Sequence, residues 1–153
     1  MAQSIQRKIL LYGFIAGALA VFVFHQGTQH LLYSFQGSMP WISEYFGRTG
    51  PAFNFASTAP LGVPVVVSQA FFGGLWGILL AWLVRTTALP DLPFGFVFGA
   101  LVLTLVAFTI VATLKGQPMF AGGNHQIWWR AGLLNGAWGF GTVFFLRPFS
   151  MRG

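Results

Sequence analysis

The sequence predicts an all-α integral membrane protein: a bundle of four transmembrane helices, built as two tandem parallel helical-hairpin repeats with both termini inside. Three observations predict it. Of 153 residues, 56% are hydrophobic and only 7% charged, against about a quarter charged in a typical soluble domain. Four apolar stretches reach the roughly 20 residues needed to cross about 30 Å of hydrocarbon. The motifs of the first two stretches recur in the same order in the last two. Two acids and eight bases cannot clothe a soluble globule, and the hydrophobicity excludes a disordered chain.

The first span is expected over residues 9–25, with a continuation past His25 left open. The second covers 61–84, the third 92–114 and the fourth 127–146. Arg130 falls in the first turn of the fourth span, where its stem lets the guanidinium reach the interface. Trp128 and Trp129 beside it suit an aromatic belt. With the termini inside, Arg7, Lys8, Arg85, Arg147 and Arg152 lie inside, and Arg48, Lys115 and Arg130 outside. That imbalance favours cytoplasmic termini. Arg7 and Lys8 also fit the start of a signal peptide, with Ala18-Leu19-Ala20 as its cleavage site. The apolar run through Phe24 and the match to the third span favour retention.

The repeat is read from two pairs of motifs. Tyr12-Gly13-Phe14-Ile15-Ala16-Gly17-Ala18-Leu19 opens the first span, and Phe94-Gly95-Phe96-Val97-Phe98-Gly99-Ala100-Leu101 opens the third. Gly74-Leu75-Trp76-Gly77 runs on to Arg85, and Gly136-Ala137-Trp138-Gly139 runs on to Arg147 with the same spacing from Trp to Arg. Leu61-Gly62-Val63-Pro64 is echoed by Lys115-Gly116-Gln117-Pro118. The order points to a duplicated hairpin whose pseudo-two-fold axis runs along the membrane normal.

Small residues four apart mark a packing face in each span: Gly13/Gly17, Gly73/Gly77, Gly95/Gly99 and Gly132/Gly136. Such pairs let helix backbones approach where lipid removes the hydrophobic drive between helices. Spans one and three, sharing a motif, are expected to pack as a parallel pair near the axis. The short turn 85–91 makes spans two and three antiparallel neighbours.

The outer connection, residues 26–60, is long and aromatic. A short interfacial helix is expected near 39–46, with Ser38 as N-cap and Pro40 in the first turn. Trp41, Ile42, Tyr45 and Phe46 would face the interface. Gly47, Gly50 and Pro51 end it, and the chain to Pro60 reads as irregular. Loops of this length in compact proteins tend to carry function.

Much chemistry is excluded. No Asp or Glu lies in the apolar body of a span, which argues against proton-coupled antiport and an acidic cation pore. Three histidines and two acids are too few for a His-rich di-iron site. Ser68 has no acid or His near it in its span to activate it. Absence of cysteine removes thiol chemistry and disulfides. The bases stand singly between apolar runs, which does not suit nucleic acid.

The remaining candidates gather at the outer side: His25, Gln26, Gln29 and His30, with Asn124, His125 and Gln126 before the fourth span. His25 and His30 diverge by about 140° on a continuous helix, so they converge only if the helix breaks near Gly27. Met39 and Met119 on the same side suit a soft metal such as copper. Haem ligation would pair His125 with His25, or less readily His30. Plain interfacial hydrogen bonding is the competing reading for all three histidines. Deep in the spans, Asn135 takes Gly73 as its repeat position and Gln69 as its candidate partner, in an interhelical hydrogen bond or a solute path.

Gly13-Phe14-Ile15-Ala16-Gly17-Ala18, Phe24-His25-Gln26-Gly27, Gly73-Gly74-Leu75-Trp76-Gly77 and Asn135-Gly136-Ala137-Trp138-Gly139 together resemble a group of uncharacterised four-span proteins of proteobacterial inner membranes. The resemblance covers most of the chain and implies fold and location, not activity. The expected function is a non-catalytic accessory, assembly or scaffold component, with a membrane-protein partner or a second copy beside it in the bilayer. A small passive pore or carrier for a neutral or anionic solute is the alternative. A haem- or metal-binding redox protein using His25, His30 and His125 is the third.

Overall fold

The structure, a computed structural model, describes residues 2–149; Arg152, one of the bases used to orient the chain, lies outside them. Among the described residues the chain is mostly helical. The first rod is α1 (Ala2–Ala20), a π-helical turn (Val21–His25) and α2 (Gln26–Phe35). Then come α3 (Pro40–Phe46), a two-stranded ribbon of β1 (Ser57–Thr58) and β2 (Val63–Pro64), and α4 (Val65–Thr86). The third rod joins α5 (Asp91–Phe98), α6 (Thr104–Val106) and α7 (Ala112–Leu114) through π-helical turns at Gly99–Leu103 and Ala107–Val111. A 3-10 segment (Met119–Gly123) leads to α8 (His125–Leu146), and a last 3-10 turn (Arg147–Phe149) follows.

Three rods, Gln3–Phe35, Val65–Thr86 and Asp91–Leu114, are long and apolar enough to cross a membrane. They mark the chain as a membrane protein. The fourth helix, α8, matches α4 in length at 22 residues.

The first rod does not end at His25. Helical backbone runs on through Phe35, because Gln26 to Phe35 holds no proline and its one glycine, Gly27, is tolerated within a helix. At 33 residues the rod is about 50 Å long, longer than the roughly 30 Å of hydrocarbon. The second helix starts at Val65, not Leu61, since residues 61–64 turn back in the ribbon that pairs Thr58 with Val63. Pro64 precedes α4, where its missing N–H costs nothing.

Packing is concentrated in a few helix pairs: α1 with α4, α5 and its following π turn with α8, and α8 with α1. The expected parallel pairing of the first and third rods is replaced by α8, which lies against both. Glycines allow the two closest approaches. A Cβ on Gly17 would collide with the Gly73 carbonyl, and one on Gly77 with the Gly13 carbonyl. In the other pair, a Cβ on Gly99 would collide with the Asn135 carbonyl and one on Gly139 with that of Gly95. The Phe14 ring fills the space over Gly74, and the Phe96 ring fills it over Gly136. Gly132, expected in the packing stripe, meets only the Ala100 carbonyl at 3.8 Å. The close face of α8 is therefore Asn135, Gly136 and Gly139.

The core between the pairs is centred on Trp138, which is 1% exposed, with Ala20, Val21, Leu80, Phe98 and Val143 around it. The Trp138 indole donates to the Gly17 carbonyl at 2.9 Å, tying α8 to α1. Trp76 meets Phe98 edge-on across the α4–α5 side. Phe24, carried by the π-helical turn, lies on Gly141 and touches Phe140, Phe144 and Phe145.

Candidate functional site

Charged side chains sort to the two ends of the bundle. Arg7, Lys8, Arg85, Asp91 and Arg147 lie at the end where α1 begins and α8 stops; Glu44, Arg48, Lys115 and Arg130 lie at the loop end. At the first of these ends Arg147 forms a bidentate pair with Asp91, at 3.0 and 3.3 Å. This hydrogen bond raises the Arg147 pKa still further above its ordinary value.

The polar candidates from the sequence stand at the loop end, and most of them hold backbone. Gln26 is 2% exposed. Its amide nitrogen donates to Gln69 Oε1 at 2.8 Å and stands 3.3 Å from His25 Nδ1, while its Oε1 accepts from the Phe53 N–H at 2.7 Å. One turn on, Gln29 donates to the carbonyls of Gly50 and Pro51. Farther along α2's continuation, Gln36 accepts from the Thr49 N–H at 2.9 Å and donates to the Thr49 carbonyl at 3.2 Å. Three glutamines thus grip residues 49–53, which run back along α2. Each side-chain amide offers both donor and acceptor, so it can replace the strand or helix partner that an irregular segment lacks.

A second set holds α3. Gln126 donates to the carbonyls of Ser43 and Glu44, and Arg130 to those of Phe46 and Arg48. The Glu44 and Phe46 carbonyls are among those a helix C-terminus leaves without intrahelical partners, and a cation there favourably meets the negative end of the helix dipole. Gly47, at φ +68, passes beneath both side chains, with Gln126 and Arg130 atoms 3.2–3.4 Å from where a Cβ would stand. The Arg130 guanidinium is turned onto the C-terminal end of α3. Ile42, expected at the interface, is buried against Leu32 and Leu134; Trp41 and Tyr45 do face outward. Met39, not Ser38, precedes α3, and the Ser38 hydroxyl donates back to the Phe35 carbonyl. Asn124 caps α8 by accepting from the N–H groups of Gln126 and Ile127, an arrangement that satisfies otherwise unpaired donors.

The three histidines keep separate neighbours. His25 meets Gln26, His30 meets the Ser34 hydroxyl at 3.5 Å, and the His125 ring lies 4.7 Å from that of Trp128. Among the described residues no three His, Asp or Glu side chains gather as a metal cluster would require. The helix stays continuous through Gly27, so the break that would bring His25 and His30 together is missing.

Asn135 and Gln69 do not meet. Asn135 donates to the Thr104 hydroxyl at 3.0 Å on the third rod, and Gln69 is taken by Gln26. Gln69 lies one turn nearer the loop end than Gly73 and faces the first rod, whereas Asn135 faces the third. The residues that sequence reasoning gave no site role are Gln36 and Thr104. Gln36 lies beyond the expected helix, and Thr104 looks like any other threonine in an apolar run.

No family model, curated protein or solved structure matches this chain.

Proposed function

We propose that this chain is a four-span membrane protein of two duplicated hairpins that serves as a non-catalytic accessory or scaffold subunit, with its loop end presented to a membrane-protein partner. The observation that carries the reading is the use of the loop-end polar groups. Gln26, Gln29, Gln36, Gln126 and Arg130 are committed to backbone carbonyls and N–H groups of the long connection. They hold a surface in shape instead of facing a substrate. That surface is apolar: Phe55 is 69% exposed and Leu61 82%. Large exposed apolar side chains beside a held connection are what a docking face offers.

Two contact sets support the duplication. Phe14 on Gly74 and Phe96 on Gly136 occupy matching places in the two motifs, as do the close pairs Gly17–Gly73 and Gly99–Asn135. Trp76 and Trp138, also matched, each reach across to the other hairpin. The duplication in turn makes α8 the counterpart of α4, and so a fourth span. The excess of bases at the end holding both termini supports cytoplasmic termini, and the resemblance to proteobacterial four-span proteins supports an inner-membrane location. A solute path has less support, because Asn135 and Gln69, its proposed lining, are paired to Thr104 and Gln26.

The test is affinity purification of a tagged copy at native expression level in a mild detergent, with mass spectrometry of what accompanies it. The reading expects a stoichiometric membrane partner that is lost in Phe55→Ser/Leu61→Ser, while that variant stays monodisperse. A solitary wild-type protein would contradict it.

A further inference from the structure

The face of the first rod that meets α4 changes its spacing partway along. Gly13 and Gly17 pack on Gly77 and Gly73, and a Val21 methyl lies over Gly73. These are steps of four residues, the spacing that keeps side chains on one face of an α-helix. Farther along that face Gln26 meets Gln69. Gln69 lies four residues before Gly73 on α4, but Gln26 lies five after Val21. The π-helical turn takes up the extra residue: the Gln26 N–H bonds to the Val21 carbonyl, five residues back.

The second hairpin repeats the arrangement. Gly95 and Gly99 pack on Gly139 and Asn135, a π-helical turn covers Gly99–Leu103, and Thr104, five residues after Gly99, accepts from the Asn135 amide. Single π turns inside α-helices are rare and gather at functional sites.

A rod that was α-helical throughout would turn everything beyond Val21 by one residue, about 100°. His25 would then face Gln69, Thr28 would stand where Gln29 does and Phe35 where Gln36 does. His25 is already beside this seam, its Nδ1 3.3 Å from the Gln26 amide nitrogen. Either register therefore offers Gln69 a hydrogen-bonding side chain. The Thr28 hydroxyl could donate to a loop carbonyl as Gln29 does. Phe35 could not replace Gln36, whose amide holds both the N–H and the carbonyl of Thr49. The π register is thus held by the grip on residues 49–53 and by Phe24 seated on Gly141.

We propose that the turn Val21–His25 is a register switch. In the π register α2 grips the connection; in an α register α2 is turned by about 100°, His25 sits on Gln69 and residues 49–53 are released. The switch rests on the first rod alone, not on a partner at the loop end.

Full-length variants in mild detergent test it. Deletion of Val23, an exposed residue of the π turn, puts Gln26 four residues after Val21. The shortened rod should elute as a folded, monodisperse protein, with residues 49–53 still protected from hydrogen exchange; deletion of the exposed Phe22 asks the same question if that variant does not fold. Deletion of Leu75, exposed on α4 between Gly73 and Gly77, should abolish the folded protein, since α4 has no π turn to absorb it. The second register is read with a short thiol cross-linker on paired cysteines. Both His25→Cys/Gln69→Cys and Gln26→Cys/Gln69→Cys should cross-link in the full chain. In the folded deletion variant the first product should fall several-fold while the second persists. Gln36→Leu, which loosens the grip on Thr49, should raise the first product several-fold. Loss of the folded protein in both π-turn deletions would overturn the proposal. So would a yield of the first product that neither the deletion nor Gln36→Leu changes, which would mean a fixed turn with one register.

Discussion

The hairpin of α1 with α4 and the hairpin of α5 with α8 are built on the same contacts and closed in different ways. Each has a phenylalanine seated on a glycine, Phe14 on Gly74 and Phe96 on Gly136, and each has backbones touching one turn away. The first is joined by residues 36–64, a long connection gripped by glutamines. The second is joined by residues 115–124, a tight turn in which Phe120 and Ala121 adopt left-handed backbone at φ 52. The first rod carries α2 well past the point where its packing on α4 ends. The third rod also outruns its packing, but between Thr104 and Leu114 only Ala112 is buried. The comparison teaches that close backbone packing fixes one half of the molecule, where a methyl group is too much. The other half differs between the hairpins because side-chain hydrogen bonds to loop backbone, with the small cluster of Leu32, Ile42 and Leu134, shape it.

The largest expected effect strikes both hairpins alike. Gly17→Leu in the first and Gly139→Leu in the second each drive a side chain into a partner carbonyl, and backbone cannot yield. Fluorescence-detected size exclusion should show loss of the folded protein for both. Gly132→Ala should leave the protein folded and stabilise it by up to about 1 kcal/mol through alanine's better helix propensity. If Gly132→Ala were as damaging as Gly139→Leu, the assignment of the α8 packing face would be wrong.

A smaller and one-sided effect is expected at the loop end. Gln26→Leu leaves Gln69 and the Phe53 N–H without their partner, at a cost of about 1–3 kcal/mol. Hydrogen exchange should rise across residues 49–53 and stay unchanged in the turn 115–124. A rise in both connections would mean that the glutamine acts on the whole bundle.

Smaller again is Asn135→Gly, which makes the second hairpin like the first at the position of Gly73. Losing the bond to Thr104 should cost about 0.6 kcal/mol, the usual worth of an interhelical hydrogen bond in lipid. The glycine adds up to about 1 kcal/mol by its helix propensity, and Asn135→Ala separates the two. Thermal unfolding in detergent measures the difference. Ala121→Gly goes the other way: it should stabilise the second hairpin by about 1 kcal/mol by relieving left-handed strain.

The apolar rods and the close glycine faces at Gly13/Gly17, Gly73/Gly77 and Gly95/Gly99 were legible in the sequence because both follow periods: a run of apolar residues as long as the membrane is thick, and small residues one turn apart. The same rule misled at Gly132/Gly136. The spacing is right, but the face that touches Gly95 and Gly99 carries Asn135 and Gly139, and an asparagine hides its backbone contact from a search for glycine. The loop end was hardly legible. Gln26 and Gln29 stood out as polar, yet their partners are main-chain groups of residues 50–53, and no side-chain pattern encodes where a loop backbone will lie. The extension through Phe35 was left open because α2 is polar enough to read as a loop once hydropathy alone is followed.

The two-hairpin, four-span architecture is tested most directly by the side from which each end of the bundle can be reached. The chain has no cysteine, so single cysteines report without background. Ser38→Cys and Gln117→Cys mark the loop end; Ala88→Cys and Pro148→Cys mark the other, and all four positions are exposed. In sealed right-side-out and inverted vesicles, a membrane-impermeant maleimide should label Ser38→Cys and Gln117→Cys from one face of the bilayer, and Ala88→Cys and Pro148→Cys only from the other. Labelling of Gln117→Cys and Pro148→Cys from the same face would mean that α8 does not cross, and the duplicated four-span bundle would be wrong.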